Sequence, residues 1–396
     1  MPASTYYAVV AAFIFICASN TVAQPADPQR PTYHFLPPKG WMNDPNGLIQ
    51  FKGQFHLFYQ HNDQSAVHNK IVWGHAVSPD LVHWEHRPIA LRPDKPYDAA
   101  GAWSGCAIEN NGVVSIFYTG VQPETQCLVT SPDLVTFEKH PSNPIIPAPP
   151  AGVKVTGFRD PCVWKDGDTW LMVVGTGVKD VGGALALYRS RDGVKWDYVH
   201  IAAVGDKAAT GEMWECPQLF AISQEKHVLV VSPYGRSLYM LGTWKDLKFT
   251  PESRGEIDLG GALYAPQVFP DEKRRLIMFG WLWENRQKAE QHGWQGVQSL
   301  PRVLTLGDDG RVNFEPAEEV KTLRREHRHL DNVELKPDTP QIARDVQGEA
   351  LELAMEINPG KAEQVALHVR CSPDEKERTS IVFDRAAATL SVDRSR

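Results

Sequence analysis

Ser78-Pro79-Asp80-Leu81-Val82-His83-Trp84 decides the fold, because it keeps returning: Ser131-Pro132-Asp133-Leu134-Val135-Thr136-Phe137, then Ser190-Arg191-Asp192-Gly193-Val194-Lys195-Trp196, then the shorter Trp244-Lys245-Asp246-Leu247-Lys248-Phe249. Asp and Ser side chains bond to backbone a few residues on, so each copy reads as a turn between strands. The four Asp positions lie 53, 59 and 54 residues apart. A second feature runs in step with the first. Asp44-Pro45, Ser104-Gly105, Asp160-Pro161, Glu215-Cys216-Pro217 and Tyr264-Ala265-Pro266 each open a strand-like run, and the steps from 44 to 104, 160, 215 and 265 are 60, 56, 55 and 50. Within the units, β-branched and aromatic runs are broken by turn pairs, as at Lys52-Gly53, Asn110-Asn111-Gly112 and Asp166-Gly167. Helical periodicity is almost absent. Five repeats of about 50 residues, each with about four strands, predict an all-β chain with a five-bladed β-propeller over residues 30–325.

The recurring Pro places the unit openings. Proline cannot donate to a sheet ladder, so it belongs on an edge strand, and the strand nearest a propeller axis is an edge. Asp44, Asp160 and Glu215 hold corresponding places in units one, three and four, so pseudosymmetry alone gathers three carboxylates at one mouth of the channel. Beyond about residue 320 the texture changes. Lys321 to Asp338 is charged, and Leu351 to Ile357, Gln364 to Val369, Thr379 to Phe383 and Thr389 to Val392 alternate with strand periodicity. These predict a β-sandwich module, truncated relative to a full sandwich, over residues 338–396.

Composition narrows the partners. Of 396 residues, 41 are basic and 48 acidic, a net charge of −7 that argues against nucleic acid or an anionic membrane and leaves neutral ligands. Twelve Trp and eleven Tyr supply flat amphipathic faces suited to sugars, although β cores use the same rings. The apolar run Ala8 to Ala18, with a cleavage point after Ala23, predicts a signal peptide over residues 1–23 and a secreted protein, although no Lys or Arg precedes the run. The remaining five Cys have no disulfide or zinc spacing, no His pair has metal spacing, and neither a metal nor an organic cofactor is expected.

Three acids in one cleft repel. Two carboxylates about 5 Å apart at an effective dielectric of about 20 interact by roughly 3 kcal/mol, or about 2 pKa units on one of them. Asp44 lies in Asn43-Asp44-Pro45-Asn46-Gly47, among amide donors that solvate an anion; its pKa is expected low, as a nucleophile needs. Glu215 lies in Met213-Trp214-Glu215-Cys216-Pro217, an apolar setting expected to keep it protonated as an acid. Asp160, beside Arg159, is expected to stay ionised. One ionised and one protonated carboxyl is the equipment of a retaining glycosidase. Because successive strand residues face opposite sides, Cys216 is expected to point away into packing. His75 and His83 are expected to be hydrogen-bond partners within the blades.

At Trp41-Met42-Asn43-Asp44-Pro45-Asn46-Gly47-Leu48 the sequence resembles glycoside hydrolase family 32, the invertases and fructanases. The likeness continues through Phe58-Tyr59-Gln60, Trp73-Gly74-His75, Trp103-Ser104-Gly105, Phe158-Arg159-Asp160-Pro161, Trp214-Glu215-Cys216-Pro217, Leu263-Tyr264-Ala265-Pro266-Gln267, Gly280-Trp281 and Ser299-Leu300-Pro301-Arg302. The resemblance implies cleavage of β-linked fructose from sucrose or fructans, with a nucleophile at Asp44, a transition-state stabiliser at Asp160 and an acid/base at Glu215. It also implies a fructose pocket lined by Asn43, Gln60, Trp103, Ser104, Arg159, Tyr264 and Trp281. This chain departs from the family at His68-Asn69-Lys70, where many relatives carry Trp-Gly-Asn, and at Ala262, where an acid is usual. A fructosyltransferase and a catalytically silent sugar-binding propeller are the rivals.

Overall fold

A computed structural model of the chain describes residues 27, 30–284, 289–336, 346, 348, 350–372, 374 and 376–395. The expected leader and its cleavage point lie outside these residues, as does the start of the expected module at 338. Among the described residues helix is confined to short turns such as Lys207–Thr210, and the protein is all-β. The first sheet joins β1 (Gly40–Phe51), β2 (Gln54–Asn62), β3 (Val72–Ser78) and β4 (Glu85–Leu91); the second joins β5 (Ala102–Asn110), β6 (Val113–Gly120), β7 (Thr125–Ser131) and β8 (Glu138–Lys139). The third contains β9 (Val155–Asp166), β10 (Thr169–Val178), β11 (Gly182–Ser190) and β12 (Asp197–Val204). The fourth contains β13 (Glu215–Ala221), β14 (His227–Ser232), β15 (Leu238–Lys245) and β16 (Lys248–Glu256). The fifth starts with β17 (Leu263–Pro270) and β18 (Leu276–Leu282). From it β19 (Trp294–Gln295) leaves to pair in parallel with the start of β1, β20 (Val297–Gln298) returns to β18, and β21 (Arg302–Leu306) and β22 (Val312–Pro316) complete the sheet.

Turn chemistry explains the connections. Lys52 and Gly53, and again Asn111 and Gly112, both take positive φ, the pair of left-handed residues that a two-residue hairpin loop with right-twisted strands requires. In the recurring Ser-x-Asp turns the carboxylate accepts two backbone N–H groups: Val82 and His83 on Asp80, Val135 and Thr136 on Asp133, Val194 and Lys195 on Asp192. The fourth copy departs. Asp246 and Leu247 both have positive φ and form a hairpin loop between β15 and β16.

Strand alternation feeds a shared core on each side of every sheet. Met172 and Val174 of β10 pack with Phe117 and Leu128 of the second sheet, whereas Val173 packs with Leu229 and Val231 of the fourth. Val228 and Val230 of β14 face the other way, onto Met278 and Leu304 of the fifth. Phe269 and Phe279 of the fifth meet Leu57 and Tyr59 of the first, and Phe58 and Trp73 of the first meet Ile116 and Tyr118 of the second. Each such side chain, fully buried, contributes about 1.5–3 kcal/mol. The first strands touch in the same cycle: β1 with β5, β5 with β9, β9 with β13, β13 with β17 and β17 with β1.

The C-terminal stretch forms one antiparallel sheet of β23 (Gln364–Val369), β24 (Thr379–Asp384) and β25 (Thr389–Asp393). Three of the four strands expected there are present. Leu351 to Ile357 is not a strand: a strand needs a ladder partner, none of the described residues pairs with it, and its alternating Leu351, Leu353, Met355 and Ile357 stay exposed.

Candidate active site

The five unit openings fall on the first strands, and all five first strands are irregular there. Register shifts occur between Met42 and Pro45 and between Asn46 and Ile49 in β1, between Trp103 and Gly105 in β5, at Arg159/Pro161 in β9, between Glu215 and Gln218 in β13, and between Tyr264 and Gln267 in β17. From Met42 onward β1 has a ladder partner on one side only, and β5, β9, β13 and β17 end their sheets, so the prolines cost no ladder hydrogen bond. Asp160, Cys216 and Ala265 all have positive φ (65°, 46° and 49°), a left-handed conformation that non-glycine residues adopt at a cost of about 1–3 kcal/mol and that clusters at functional sites. These bulges break the in-out alternation and re-aim the side chains.

The result is one connected cluster drawn from each of the first five sheets. Ser104 Oγ donates to Asp44 Oδ2 at 2.6 Å and Asn43 Nδ2 donates to Asp44 Oδ1 at 3.0 Å. Asn43 is itself fixed, its Oδ1 accepting the Trp41 indole N–H at 2.7 Å and its carbonyl accepting Gln298 Nε2 at 2.6 Å. The Cys216 thiol lies 3.5 Å from Asp44 Oδ2 and 3.6 Å from Asp160 Oδ2, so one sulfur touches both carboxylates, and the Cys216 N–H donates to Asp160 Oδ2 at 2.9 Å. Arg159 grips Glu215 Oε1 through Nε at 3.1 Å and Nη2 at 2.5 Å, while its Nη1 pairs with Glu124 Oε1 at 2.8 Å. The Tyr264 hydroxyl bonds to Glu215 Oε2 and lies 3.0 Å from the Ser232 carbonyl. Gln60 Nε2 donates to the Ala102 carbonyl, and Gln267 Nε2 reaches across to the Gly105 carbonyl at 2.6 Å. The guanidinium of Arg159 sits 5.8 Å from the Trp103 ring centroid, and Trp281 packs edge-on against Trp41 and Tyr264. All ten residues singled out from the sequence thus lie in or directly against this cluster.

Three electrostatic expectations change. Burial raises the Asp44 carboxyl above its ordinary 3.8, outweighing the lowering by Ser104 and Asn43, because amide donors do not fully replace water. Asp160 is pushed up to about 7, since burial and then the neighbouring carboxylates exceed the help from Arg159. Glu215 is not in an apolar setting: Arg159 and Tyr264 occupy its two oxygens. Cys216 does not point away, because its positive φ in the bulge cancels the alternation that predicts so. His75 and His83 do bond within the first sheet and its turn, His75 to His56 at 3.0 Å and His83 to Asp80 at 2.7 Å. Trp41 and Glu124 carry no site role in the sequence reading, and Cys216 is assigned there to packing. Glu124 has no motif around it and is recognisable only from its contact with Arg159. His68, the first residue of the departure at His68-Asn69-Lys70, is edge-on to both Trp41 and Trp103.

Three carboxyl groups held together, two through one thiol and the third by a guanidinium and a phenol, are the kind of set from which glycoside hydrolases draw an acid/base and a nucleophile. The profile of the glycosyl hydrolases family 32 N-terminal domain matches residues 34–316, and that of the family 32 C-terminal domain matches residues 319–396. The sucrose-6-phosphate hydrolase of Zymomonas mobilis is 37 % identical over 400 residues, covering 92 % of this chain and 77 % of its own. Among solved structures, the β-fructofuranosidase of Bombyx mori is 30 % identical with a TM-score of 0.78, and the fructan 1-exohydrolase IIa of Cichorium intybus, in complex with 1-kestose, is likewise 30 % identical with a TM-score of 0.78; each covers 92 % of this chain and 80 % of the other. The chain belongs to glycoside hydrolase family 32.

Proposed function

We propose that the protein hydrolyses terminal β-fructofuranosyl linkages of sucrose or fructans with net retention at the anomeric carbon. The observation that carries this is the convergence of Asp44, Asp160 and Glu215 from β1, β9 and β13 through shared partners. Asp44 attacks the anomeric carbon as Glu215 protonates the departing oxygen; Glu215 then takes a proton from water, which releases fructose. Ser104 and Asn43 hold the attacking carboxylate in place. Asp160, fixed by the Cys216 amide, faces the positive charge that develops on the fructosyl ring, and Asn43, Gln60, Trp103, Ser104, Arg159, Tyr264 and Trp281 line the fructose pocket. Glu124 shares Arg159 with Glu215, which keeps the guanidinium from neutralising the acid/base alone.

The five sheets are read as five propeller blades spanning residues 30–325, supported by the cyclic contact of their first strands and the cyclic cores between them. Residues 338–396 are read as part of a β-sandwich, supported by the single sheet β23–β25. The apolar leader supports a secreted enzyme, tested by sequencing the N-terminus of the protein recovered from culture medium. Incubation with sucrose, inulin and levan, with products resolved by chromatography, tests the activity. Free fructose from at least one of them is expected, and its absence from all three rejects the reading; predominance of longer fructosides over free fructose identifies a transferase.

A further inference from the structure

We propose that Thr119 and Gln126 are positioning residues for the reaction, holding the backbone on either side of Arg159 so that Asp160 stays aimed at the fructosyl ring. This rests on the proposed fructosidase activity and assigns it two further residues. Asp160 is the extra residue of a bulge: Arg159 pairs with Gly175 and Pro161 with Val174, which leaves Asp160 without a partner on β10. Its φ of 65° is left-handed, a conformation that an aspartate keeps only where its surroundings impose it. The second sheet imposes it. The Asp160 N–H donates to Thr119 Oγ1 at 2.9 Å, the Thr119 hydroxyl donates to Gln126 Oε1 at 3.0 Å, and Gln126 Nε2 donates to the Phe158 carbonyl at 2.9 Å. The circuit leaves β9 at Asp160 and returns to it at Phe158.

Thr119 and Gln126 stand directly opposite each other on β6 and β7, and both are fully buried. Two buried polar side chains cost more than an apolar pair of the same shape unless their bonds are needed. Here they are needed, because the bulge takes the Asp160 N–H off the ladder and a buried N–H must find an acceptor. The circuit also settles which way the amide faces: turned over, Gln126 would set its oxygen against the Phe158 carbonyl, two acceptors with no proton between them. The clamp is mounted on a fixed point, since the Gln126 N–H donates to the Ile146 carbonyl at 2.9 Å and its carbonyl accepts the Ile146 N–H at 3.2 Å. A glutamine amide holds the opening of a neighbouring sheet in two more places, Gln60 on the Ala102 carbonyl before Ser104 and Gln298 on the Asn43 carbonyl before Asp44. At Asp160 the threonine adds a second hold, on the N–H of the acid itself. Without that hydroxyl the N–H is buried unpaired, the bulge relaxes, and the carboxylate turns from the charge it faces.

The test is steady-state kinetics of the full chain, on whichever of sucrose, inulin and levan it cleaves fastest, for the wild type, Thr119→Val, Thr119→Ser and Gln126→Met, with kcat expressed per folded molecule from the circular dichroism of the same samples. Thr119→Val keeps the shape and removes the hydroxyl; Thr119→Ser keeps the hydroxyl. Because Asp160 acts on charge that develops only in the transition state, the clamp predicts that Thr119→Val and Gln126→Met lower kcat about 10- to 100-fold with KM changed less than about threefold, and that Thr119→Ser stays within about threefold of the wild type. A loss that merely tracks the folded fraction, an unchanged kcat in either folded variant, a change confined to KM, or a serine variant as impaired as the valine overturns the clamp while leaving the fructosidase reading intact. A wild type that releases no fructose from any of the three substrates overturns the fructosidase reading itself, and the clamp with it.

Discussion

β10 and β25 are built from the same kind of residue and end in opposite conditions. Leu171, Met172, Val173 and Val174 of β10 are at most 1 % exposed, whereas Leu390 and Val392 of β25 are 73 % and 63 % exposed. The difference lies in what faces each sheet. β10 alternates between two cores because its sheet has a neighbour on either side, while the apolar residues of β25, paired with Phe383 and Ile381 of β24, cover no core among the described residues. The catalytic cluster stands wholly on the region where both faces are buried. Packing from both sides fixes the first strands firmly enough to hold three bulges at positive φ, and the bulges aim the acids.

That contrast makes chemistry and stability separable, and the largest expected effect tests it directly. Asp44→Asn removes the attacking oxygen and should lower kcat at least about 10⁴-fold, and Glu215→Gln about 10²- to 10⁴-fold, both with near-native unfolding midpoints. Circular dichroism melts beside sucrose assays check this; a catalytic loss accompanied by unfolding of the two-sided region breaks the separation.

The next effect comes from burying a carboxylate at the site. Asp160 has a raised folded-state pKa, so its contribution to stability is complete below about its ordinary 3.8 and is lost as pH rises through about 7. Asp160→Asn should therefore match the wild type in urea unfolding at pH 3.5 and exceed it by up to about 4 kcal/mol at pH 8, while losing activity. Equal stabilities at pH 8 contradict the burial argument.

A smaller shift follows in the pH profile. Asp44 must be ionised to attack, so the acid limb of kcat/KM lies above the ordinary aspartate value, and Ser104→Ala, which removes a bond that favours the anion, should move it further up. The smallest effect belongs to the other region: Val392→Thr on the exposed face of β25 should change stability by less than about 0.5 kcal/mol in urea unfolding, where the same change at Val173 should cost about 1–3 kcal/mol.

Repetition made the fold readable. The Ser-x-Asp turns and the proline-marked openings located the sheets and the edge strands, and their phase alone brought Asp44, Asp160 and Glu215 together. The backbone conformation inside each opening was not readable, since alternation is a rule for regular strands and the site is built where it fails. Cys216 was therefore sent to the wrong side. The acid strengths of Asp44 and Asp160 were misjudged because sequence neighbours report hydrogen-bond donors but not how much water a folded cleft excludes. Glu124 touches the site through a partner 35 residues away and leaves no local signature.

The central claim is that Asp44 becomes bonded to the fructosyl unit during turnover. Acid-quenching the enzyme during steady-state sucrose cleavage, digesting it and weighing the peptides tests this most directly. One anhydrofructosyl unit on the peptide holding Asp44, absent from Asp44→Asn, is the predicted result. Fructose release with that unit on another residue contradicts it, and so does release with inversion of the anomeric configuration.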